Sequence, residues 1–349
     1  MYFTHPQFKF FSLKPVLGRF FETDLRNKLG EIFPGVNVVF TDSGRSAFQI
    51  AIKELKLENS QMLVPAYLCD IFLPIFKKYN IEPIYLDIDL KTFQSNISEM
   101  EEKITPRIKS ILVCHTYGLV ADLDKISAIA RKHGLKIIED CAHVPLPLSP
   151  RKFGDCAFFS FAKICPDISG GMLISEFPIN AVLPDYKFKP SDAIKFLRLF
   201  PSLANFSEIF RKEQLSAEDF HEPRKASKLS LKLSNAHLKD YKQQLEARIS
   251  LANYFQKKLA EIGFEVQNPE NNTFTYISAL VPQNANRDEL FTKLRKQRIF
   301  CSRIWRKPIY LNLPNTSEAA KRIINFPLQN WLEKNDIDKI ISCILSAMG

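Results

Sequence analysis

The sequence lacks the patterns that identify several large classes of protein. No run of about 18 apolar residues occurs, so no transmembrane helix is expected. The first residues, MYFTHPQFKFFSLKP, lack the unbroken apolar segment of a secretory signal. The seven cysteines form no CxxC pair, and their odd number argues against a complete disulfide framework. These absences predict a protein of the reducing cytoplasm without a membrane-inserted segment.

Nucleotide-binding and metal-binding signatures are absent as well. Neither GxGxxG nor GxxxxGK(S/T) occurs, so the dinucleotide and P-loop classes lack their fingerprints. The histidines are dispersed, and none lies three or four residues from His143, so we expect no metal site. The net charge of +10 favours an anionic ligand such as a phosphate or a nucleotide. Basic and aromatic residues interleave over residues 196–212, but without a recognised motif, so nucleic acid is not an expected partner.

Strand and helix patterns alternate along the first half of the chain. The clearest unit has a buried strand over residues 111–114, a helix that Asp122 caps, and a second strand from Lys136. A strand, helix and strand of these lengths form a βαβ unit, which requires parallel strands. Residues 36–55 and 61–86 repeat this order. The expected fold is α/β, with a mostly parallel central sheet flanked by helices.

The composition changes after about residue 184. Residues 185–245 are rich in lysine, serine and glutamate, which is typical of a mobile or ligand-covering connection. Beyond them, the pattern predicts one long helix over about residues 235–263 and then a smaller α+β domain. The expected divisions are an N-terminal segment 1–30, a large domain 31–184, a connecting segment 185–234 and a small C-terminal domain 235–349.

Two turns after predicted strands carry polar groups at the edge where parallel sheets bind ligands. Ser43, Gly44 and Arg45 open a helix, whose unpaired amides and dipole form an anion site. A plain N-capped helix is the alternative. The strand IIED ends at Asp140, a carboxylate suited to a ligand cation, although a cap or an ion pair would also explain it.

Lys163 is the one lysine in the apolar and small residues of the segment FFSFAKICPDISGGML. A buried ammonium is costly unless it is paired or used chemically, and the alternative is a side chain that extends to the surface. Ser160 precedes it and Gly170-Gly171 follows it. Pyridoxal phosphate requires donors for its phosphate, a carboxylate for its ring nitrogen and an amine for its aldehyde. The anion cradle, the acid and the lysine together predict this cofactor.

The same segments resemble the DegT/DnrJ/EryC1/StrS family of pyridoxal-phosphate aminotransferases of fold type I, over nearly the whole chain. DSGRSAFQIAI is similar to the family's phosphate-binding segment, and VPAYLCDIFLPIF to its PAYTF segment. CHTYGLVADLDKISAIARKHGLKIIEDCAH resembles the family stretch that runs from H-x-Y-G to I-E-D-x-A-H. GDCAFFSFAKICPDISGGML resembles a variant whose lysine lies seven residues before the glycine pair, as Lys163 does.

The resemblance implies a catalytic role for three residues. Lys163 would form the covalent link with the cofactor and would then move the proton of the reacting carbon. Asp140 would pair with the ring nitrogen. His143 would lie near the ring and its 3-hydroxyl group.

The resemblance also implies the remaining cofactor contacts. Ser160 and the amides of Gly44 and Arg45 would hold the phosphate, next to Ser43. Tyr67 would lie near the cofactor ring, close to where the family usually has its stacking aromatic residue.

The implied activity is ping-pong transamination in a homodimer. The expected donor is an amino acid, glutamate above all, and the expected acceptor is a keto group of a nucleotide-linked sugar. Arg303, Arg306, Lys307 and the basic stretch 211–232 are candidate contacts for a diphosphate. A solvated basic face would explain these residues equally well.

Departures from the family pattern leave other functions open. The family motif N-Y-R-M-S, whose asparagine reaches the partner subunit's cofactor phosphate, is best matched at residues 230–234. There Ser230 replaces the asparagine and Lys232 replaces the arginine. A non-sugar acceptor, another pyridoxal-phosphate reaction, a non-catalytic relative and a nucleic-acid binder are the alternatives. Dehydratases of the family replace the lysine with histidine, so Lys163 argues against dehydration.

Overall fold

The fold is that of a computed structural model, which describes most of the chain. The described residues are 2–8, 19–146, 153–200, 203, 221–238 and 241–349. Parts of the expected N-terminal and connecting segments, and of the basic stretch 211–232, therefore lie outside the described residues. Within those ranges, no helix is both long and apolar enough to cross a bilayer.

The described chain alternates strands and helices in its first half and is mainly helical in its second. The described strands are β1 Tyr2–Phe3, β2 Asn37–Thr41, β3 Gln61–Pro65, β4 Glu82–Leu86, β5 Ile108–Cys114, β6 Lys136–Asp140, β7 Cys156–Ser160, β8 Gly171–Ser175, β9 Glu265–Val266, β10 Ile277–Leu280, β11 Ile299–Phe300 and β12 Ile323–Phe326. The described α-helices are α1 Glu22–Ile32, α2 Gly44–Glu54, α3 Leu73–Lys78, α4 Met100–Lys103, α5 Leu123–His133, α6 Phe161–Ile164, α7 Pro190–Arg198, α8 Lys228–His237, α9 Tyr241–Glu261, α10 Arg287–Lys296, α11 Pro314–Arg322 and α12 Lys334–Met348.

Seven strands form the main sheet, in the order β2-β8-β7-β6-β5-β3-β4. Neighbouring strands are parallel except for β8, which runs antiparallel to both β2 and β7. Helices cover both faces, so β5 and β6 are buried along almost their whole length. The expected α/β fold with a mostly parallel sheet is confirmed.

The crossover helix α5 begins and ends where the sequence pattern places it. The Asp122 carboxylate accepts a hydrogen bond from the Lys125 backbone N–H at 3.2 Å and so caps the helix. Gly134 ends it in the left-handed conformation. Ile126 and Ala130 pack into the core between the helix and the sheet. The crossover therefore holds β5 and β6 parallel and places their carboxyl ends at one edge.

A second, antiparallel sheet has the order β12-β10-β9. Phe255 of α9 and Ile340 of α12 share one core with Phe326 of β12. The start of the chain joins this half of the protein, because β1 pairs in parallel with β11 and places Tyr2 opposite Ile299. This half has the expected α+β composition.

One expectation about the helices is wrong. The pattern predicts one helix over about residues 235–263, and the structure has two, α8 and α9. Leu231 of α8 packs with Leu25 and Leu29 of α1, whereas Phe255 of α9 packs against the second sheet. Tyr241, at the start of α9, still packs against the cluster that contains Leu231, so the periodicity does not reveal where α8 ends and α9 begins.

Asp87 links the main sheet to helix α11 of the second half of the protein. It is buried just after β4, and its Oδ1 accepts hydrogen bonds from the N–H and the hydroxyl of Thr316, both at 2.9 Å. Its Oδ2 accepts from the Asn315 N–H at 3.0 Å. These amides belong to the first turn of α11, whose own N-cap residue provides no side-chain hydrogen bond. A carboxylate from one half of the protein therefore caps a helix of the other.

We predict that Asp87→Ala lowers the free energy of unfolding by about 2–3 kcal/mol, because buried amides lose a charged acceptor. Denaturant titration measures the change. Asp89→Ala is the matched control, since this exposed carboxylate accepts only from Lys91 and Thr92 of its own turn. The control should cost about 1 kcal/mol or less. Equal losses in the two variants would contradict a linking role for Asp87.

Candidate active site

Polar side chains meet at the edge where β6 and β7 end. Asp140 is the last residue of β6, and Ser160 is the last residue of β7. The turn after β2 lies beside them, because a Cβ atom placed on Gly44 would lie 3.5 Å from Ser160 Cβ. Lys163 follows on the single turn of α6. The residues expected at strand ends therefore lie together, as the parallel arrangement requires.

The glycine pair after Lys163 allows this close approach. A Cβ atom on Gly171 would lie 2.7 Å from Gly44 N and 2.5 Å from the Phe159 carbonyl oxygen, so no side chain fits. Gly170 has a φ of +92°, and a Cβ atom there would collide with Ser230 Oγ. The pair therefore brings the N-terminus of α2 against the strand ends.

The N-terminus of α2 forms a cradle of hydrogen-bond donors. Ser43 Oγ accepts from the Ser46 N–H at 3.2 Å and caps the helix. The amides of the two residues between them, Gly44 and Arg45, have no acceptor inside a helix. Ser160 lies beside this turn, and its hydroxyl caps no helix. Such a set of donors suits a phosphate group.

His221 is a residue of this region that the sequence did not predict. Its Nε2 lies 2.9 Å from Asp42 Oδ2, directly before the cradle. The other oxygen of Asp42 accepts from the Ser46 hydroxyl at 2.5 Å. A carboxylate beside an anion site would repel the anion unless another group offsets its charge, and His221 lies where it can do so. The position of Asp42 directly before the anion site is the one signal in the sequence for such a partner, although it does not indicate that the partner is His221.

Asp140 is buried, with 8% of its surface exposed. Its Oδ1 accepts from the Ala142 N–H at 2.8 Å, whereas its Oδ2 has only the Cys114 thiol at 3.9 Å. Burial raises the pKa of the Asp140 carboxyl group, and the positive charge of Lys163 acts in the opposite direction. Asp140 Oδ2 can therefore take a cationic hydrogen-bond donor, such as a protonated ring nitrogen.

Lys163 Nζ lies 3.2 Å from His143 Nε2. His143 Nδ1 accepts from the Tyr117 backbone N–H at 3.4 Å, which assigns the hydrogen of the neutral ring to Nε2. Burial lowers the pKa of His143 well below its ordinary value, and the charge of Lys163 lowers it further. His143 is therefore a neutral donor directed at Nζ, which accepts its hydrogen only when Lys163 is unprotonated.

Three aromatic rings surround His143. The Trp305 ring stacks on it, with centroids 5.3 Å apart and an interplanar angle of 21°. The Tyr117 ring lies 5.8 Å away and nearly parallel, and the Tyr276 ring meets His143 edge-on at 5.3 Å. Trp305 comes from the segment after β11, so the second half of the protein completes this site.

Tyr67 lies behind these rings. It is fully buried, its hydroxyl lies 2.8 Å from the Tyr117 hydroxyl, and it accepts the Trp305 backbone N–H at 3.1 Å. Tyr67 does not line the cavity at Lys163, whereas Cys69 does. Tyr67 therefore supports the aromatic rings from behind.

A cavity of about 230 Å³ opens at Lys163. Arg303 is held at it by Asp288, which accepts from Arg303 Nη1 at 2.7 Å. Lys307 is exposed and does not line the cavity, although the sequence grouped it with two arginines that do. The basic residues of the lining are Lys163, Arg295, Arg303 and Arg306.

The expected motif at residues 230–234 lies on α8, behind the Lys163 loop. Ser230 is buried, and its hydroxyl donates to Asp167 Oδ2 at 2.9 Å. Lys232 lies on the same helix and is partly buried. The Ser230 hydroxyl is therefore used within its own chain.

Three buried groups next to Asp140 lie within 4.8 Å of one another: His115, Glu139 and Cys141. His115 Nε2 lies 2.7 Å from Glu139 Oε2, and its Nδ1 accepts from the Ala121 N–H at 3.0 Å. Because both nitrogens of His115 are already used, the cluster is explained as a bond between β5 and β6 that fixes the end of β6.

The residues at this edge fit pyridoxal phosphate. The cradle at α2 offers amides to a phosphate, and Lys163 offers an amine inside the cavity. Asp140 offers a buried carboxylate oxygen that lacks a strong donor. The three groups match the three polar ends of this cofactor.

Comparison with known proteins decides the family. A model of the DegT/DnrJ/EryC1/StrS aminotransferase family matches residues 18–181 and 204–345. The chain belongs to this family. It is therefore an aminotransferase, and the family's cofactor is pyridoxal phosphate.

Solved structures show the same fold, type I of the pyridoxal-phosphate enzymes, as expected. DesV of S. venezuelae is 21% identical and superposes with a TM-score of 0.73. The alignment covers 95% of this chain and 90% of DesV. Spr1654 of Streptococcus pneumoniae, in its apo form, is 18% identical with a TM-score of 0.73, over 94% of this chain and 89% of that one. GDP-4-keto-6-deoxy-D-mannose-3-dehydratase of E. coli also has this fold, with a TM-score of 0.71 at 17% identity over 94% and 92% of the two chains. The fold alone therefore does not select the reaction.

Curated relatives are named as nucleotide-sugar aminotransferases. The dTDP-4-amino-4,6-dideoxy-D-glucose transaminase of Shigella dysenteriae is 24% identical over 92% of this chain and 88% of its own. The GDP-perosamine synthase of Vibrio cholerae is 23% identical over 86% and 84%. A UDP-N-acetyl-3-dehydro-alpha-D-glucosamine 3-aminotransferase of Acidithiobacillus ferrooxidans is 34% identical over 124 residues, which is 34% of each chain.

We predict that neutral His143 makes stability depend on pH. The pKa of His143 in the folded state lies well below the ordinary value of 6.5. At pH values between these two pKa values, the folded state therefore binds fewer protons than the unfolded state. The stability of the wild type should fall, relative to His143→Gln, as the pH falls below 6.5. Melting temperatures of the cofactor-free proteins measure this difference. His133→Gln, at an exposed position, is the control, and a pH slope shared by all three proteins would contradict the assignment.

We also predict that Trp305 reports cofactor binding. The chain has two tryptophans, and Trp331 lines a different cavity. In Trp331→Phe, pyridoxal phosphate should quench most of the fluorescence, because Trp305 lines the cavity at Lys163. In Trp305→Phe, the quenching should be much weaker. Inorganic phosphate, which has no ring, is the control ligand, and equal quenching in both variants would place the cofactor elsewhere.

Proposed function

We propose that this chain is a pyridoxal-phosphate aminotransferase that moves an amino group from an amino acid to the keto group of a nucleotide-linked sugar. One observation carries the proposal. The Lys163 amine, the neutral His143 donor and the buried Asp140 carboxylate converge at one edge of the sheet. Family membership supports the reaction class, and the roles of these residues are part of the proposal.

Asp140 keeps the cofactor ring protonated. When bound, pyridoxal phosphate supplies an electron sink for the carbon that carries the amino group, provided that its ring nitrogen holds a proton. Among the described residues, Asp140 Oδ2 has no strong donor, and it lies in a buried site with little water to screen its charge. A carboxylate in this position holds the proton on the ring nitrogen.

Lys163 moves the proton of the reacting carbon. An amine accepts a proton only when it is unprotonated, and in that form Lys163 Nζ can accept the Nε2–H of His143, 3.2 Å away. Trp305 and Tyr276 line the same cavity and limit the access of water to Nζ. The proton that Lys163 removes can therefore be returned to the substrate before it exchanges with solvent.

The cavity suits an anionic substrate. Guanidinium groups bind phosphate and carboxylate in a planar, two-point geometry. Arg295, Arg303 and Arg306 line the cavity, and the chain carries a net charge of +10. The named relatives act on dTDP-, GDP- and UDP-linked sugars or are named for such products. These observations support a nucleotide-linked acceptor, with glutamate as the proposed donor.

Three further expectations stay predictions. They are a homodimer with the cavity at its interface, a cytoplasmic location and the division of the chain at residues 30, 184 and 234. All seven cysteines are free thiols, which supports a reducing compartment.

The first experiment is an absorption spectrum of the wild type and of Lys163→Ala with added pyridoxal phosphate. We expect a visible cofactor band on the wild type that borohydride fixes covalently to the peptide containing Lys163, and no fixed cofactor on the variant. Lys225→Ala is the control, because Lys225 is partly exposed and its amine pairs with Asp185.

Addition of glutamate to the wild type should then remove the visible band and release 2-oxoglutarate. A keto sugar linked to dTDP, GDP or UDP, tested with the keto group at C3 and at C4, should restore the band and leave an amino sugar. Release of water from the sugar without amino transfer would select dehydration. Absence of any band at saturating cofactor would overturn the proposed function.

A further inference from the structure

The loop that follows Lys163 contains a buried carboxylate with no place in the mechanism above. Asp167 has 5% of its surface exposed, and it is the one charged residue between Lys163 and β8. No cationic side chain of the described residues forms an ion pair with it. A buried carboxylate is costly unless it is fully hydrogen-bonded.

Four donors from two elements hold this carboxylate. Its Oδ1 accepts from the backbone N–H groups of Ile168 at 2.7 Å and Ser169 at 3.3 Å, both in its own loop. Its Oδ2 accepts from the hydroxyls of Ser230 at 2.9 Å and Ser234 at 2.8 Å. These two serines lie one turn apart on α8, so they face the loop together. Asp167 therefore fastens the loop to α8.

The hydrogen bonds between Asp167 and α8 lie close to Lys163. The helix α6 that carries Lys163 has four residues, which is too short to hold its own orientation. Its first residue, Phe161, donates its N–H to the Gly170 carbonyl at 3.0 Å, and Gly170 donates to the Asp42 carbonyl at 2.9 Å. Ser230 also lies against Gly170, where no Cβ atom fits. These backbone bonds close the loop at its two ends, and the contact of Asp167 with α8 holds the residues between them.

We propose that Asp167 is a positioning residue for Lys163: its carboxylate, held by Ser230 and Ser234, sets where the Lys163 amine lies in the cavity. This inference rests on the proposed function of Lys163. It gives Ser230, which replaces the asparagine of the family motif, and Ser234, which matches the serine of that motif, a role within their own chain.

Four variants test the inference. Asp167→Ala removes the acceptor, and the double variant Ser230→Ala, Ser234→Ala removes the donors of α8. Asp167→Asn is the conservative variant, because its amide oxygen can accept from the loop amides and its NH₂ can donate to the serine hydroxyl oxygens. Ser227→Ala is the matched control: Ser227 caps α8 through the Ser230 N–H at 3.0 Å and does not contact Asp167.

The main readout is the rate at which saturating glutamate removes the visible band. A misplacement of about 1 Å lowers such a rate by about a hundredfold. We expect a loss of at least about tenfold in Asp167→Ala and in the double serine variant, with a KM for glutamate within about twofold of the wild type. The dissociation constant of pyridoxal phosphate and the fraction fixed to Lys163 by borohydride should worsen in the same two variants. Asp167→Asn should stay near the wild type.

Non-additivity distinguishes a shared role from separate ones. A fifth variant combines Asp167→Ala with Ser230→Ala and Ser234→Ala. If Asp167 and the two serines act as one unit, this triple variant should be no slower than Asp167→Ala alone. Ser227→Ala should lower the melting temperature and leave the rate unchanged. The inference is overturned if Asp167→Ala keeps the wild-type rate, or if the rates of all variants follow their melting temperatures, Ser227→Ala included. If Asp167→Ala does not fold, the double serine variant decides between the same two outcomes.

A readout without cofactor separates this inference from the proposed function. Burial raises the pKa of Asp167 from 3.8 to about 7, although the four hydrogen bonds act in the opposite direction. The folded state therefore binds its proton more tightly, and this contribution to stability is lost as the pH rises from about 4 to 7. The other titratable group facing Asp167 is the thiol of Cys165, whose pKa burial raises well above its ordinary value.

The melting temperature of the cofactor-free wild type should fall relative to Asp167→Asn over this pH range. The same slope in both proteins would contradict the buried carboxylate itself. A wild type that shows this slope but never binds pyridoxal phosphate would overturn the function and leave the contact in place. A wild type that binds and transaminates, with an unaffected Asp167→Ala, would overturn the positioning role alone.

Discussion

The structure depends on holding charged groups away from water at one edge of a parallel sheet. Lys163 and Asp140 both lie there, and neither forms an ion pair with a described residue. Backbone amides, the neutral His143 and stacked rings compensate them in part. This edge of the sheet thus presents a carboxylate oxygen, an amine and a helix N-terminus. Under the proposed function, a ligand with a protonated ring nitrogen, an aldehyde and a phosphate complements these three groups, so we expect its binding to stabilise the folded protein.

The two sheets are joined through the site itself. Tyr67 accepts from the Trp305 backbone, and the Thr275 hydroxyl donates to the His143 carbonyl, so each half holds a group of the other next to the reacting atoms. Asp87 adds a third bond by capping α11. Tyr67 and Tyr117 also share a buried apolar cluster with Tyr276 and Ile323 of the other half. The geometry around Lys163 therefore depends on the relative placement of the two halves. A change that tilts one half against the other would therefore alter both the width of the cavity and its access to water.

The positions of Asp140, Ser160 and Lys163 were predictable because local patterns determine where strands end, and parallel strands end at one edge. The N-cap of α5 and the glycine pair are likewise local signals. The roles of Trp305, His221 and Asp167 were not predicted. Each contacts residues that are distant in the sequence, and no pattern in its own segment indicates that contact. The sequence also did not show that Tyr67 lies behind the rings lining the cavity, since a pattern indicates which strand carries a side chain but not what covers it. The break between α8 and α9 has the same origin: the helical period reports a buried face without indicating which core buries it.

The pairing of β1 with β11 has a consequence for the order in which the chain folds. Tyr2 donates its hydroxyl hydrogen to Asp336, 334 positions later in the chain, at 3.0 Å. Tyr2 can therefore take its place only after Asp336 has been synthesised. The seven-stranded sheet can assemble much earlier, since its last strand, β8, ends at Ser175. Synthesis thus separates in time the half that carries Lys163 from the half that supplies Trp305, and the site is completed only after Trp305 has been synthesised.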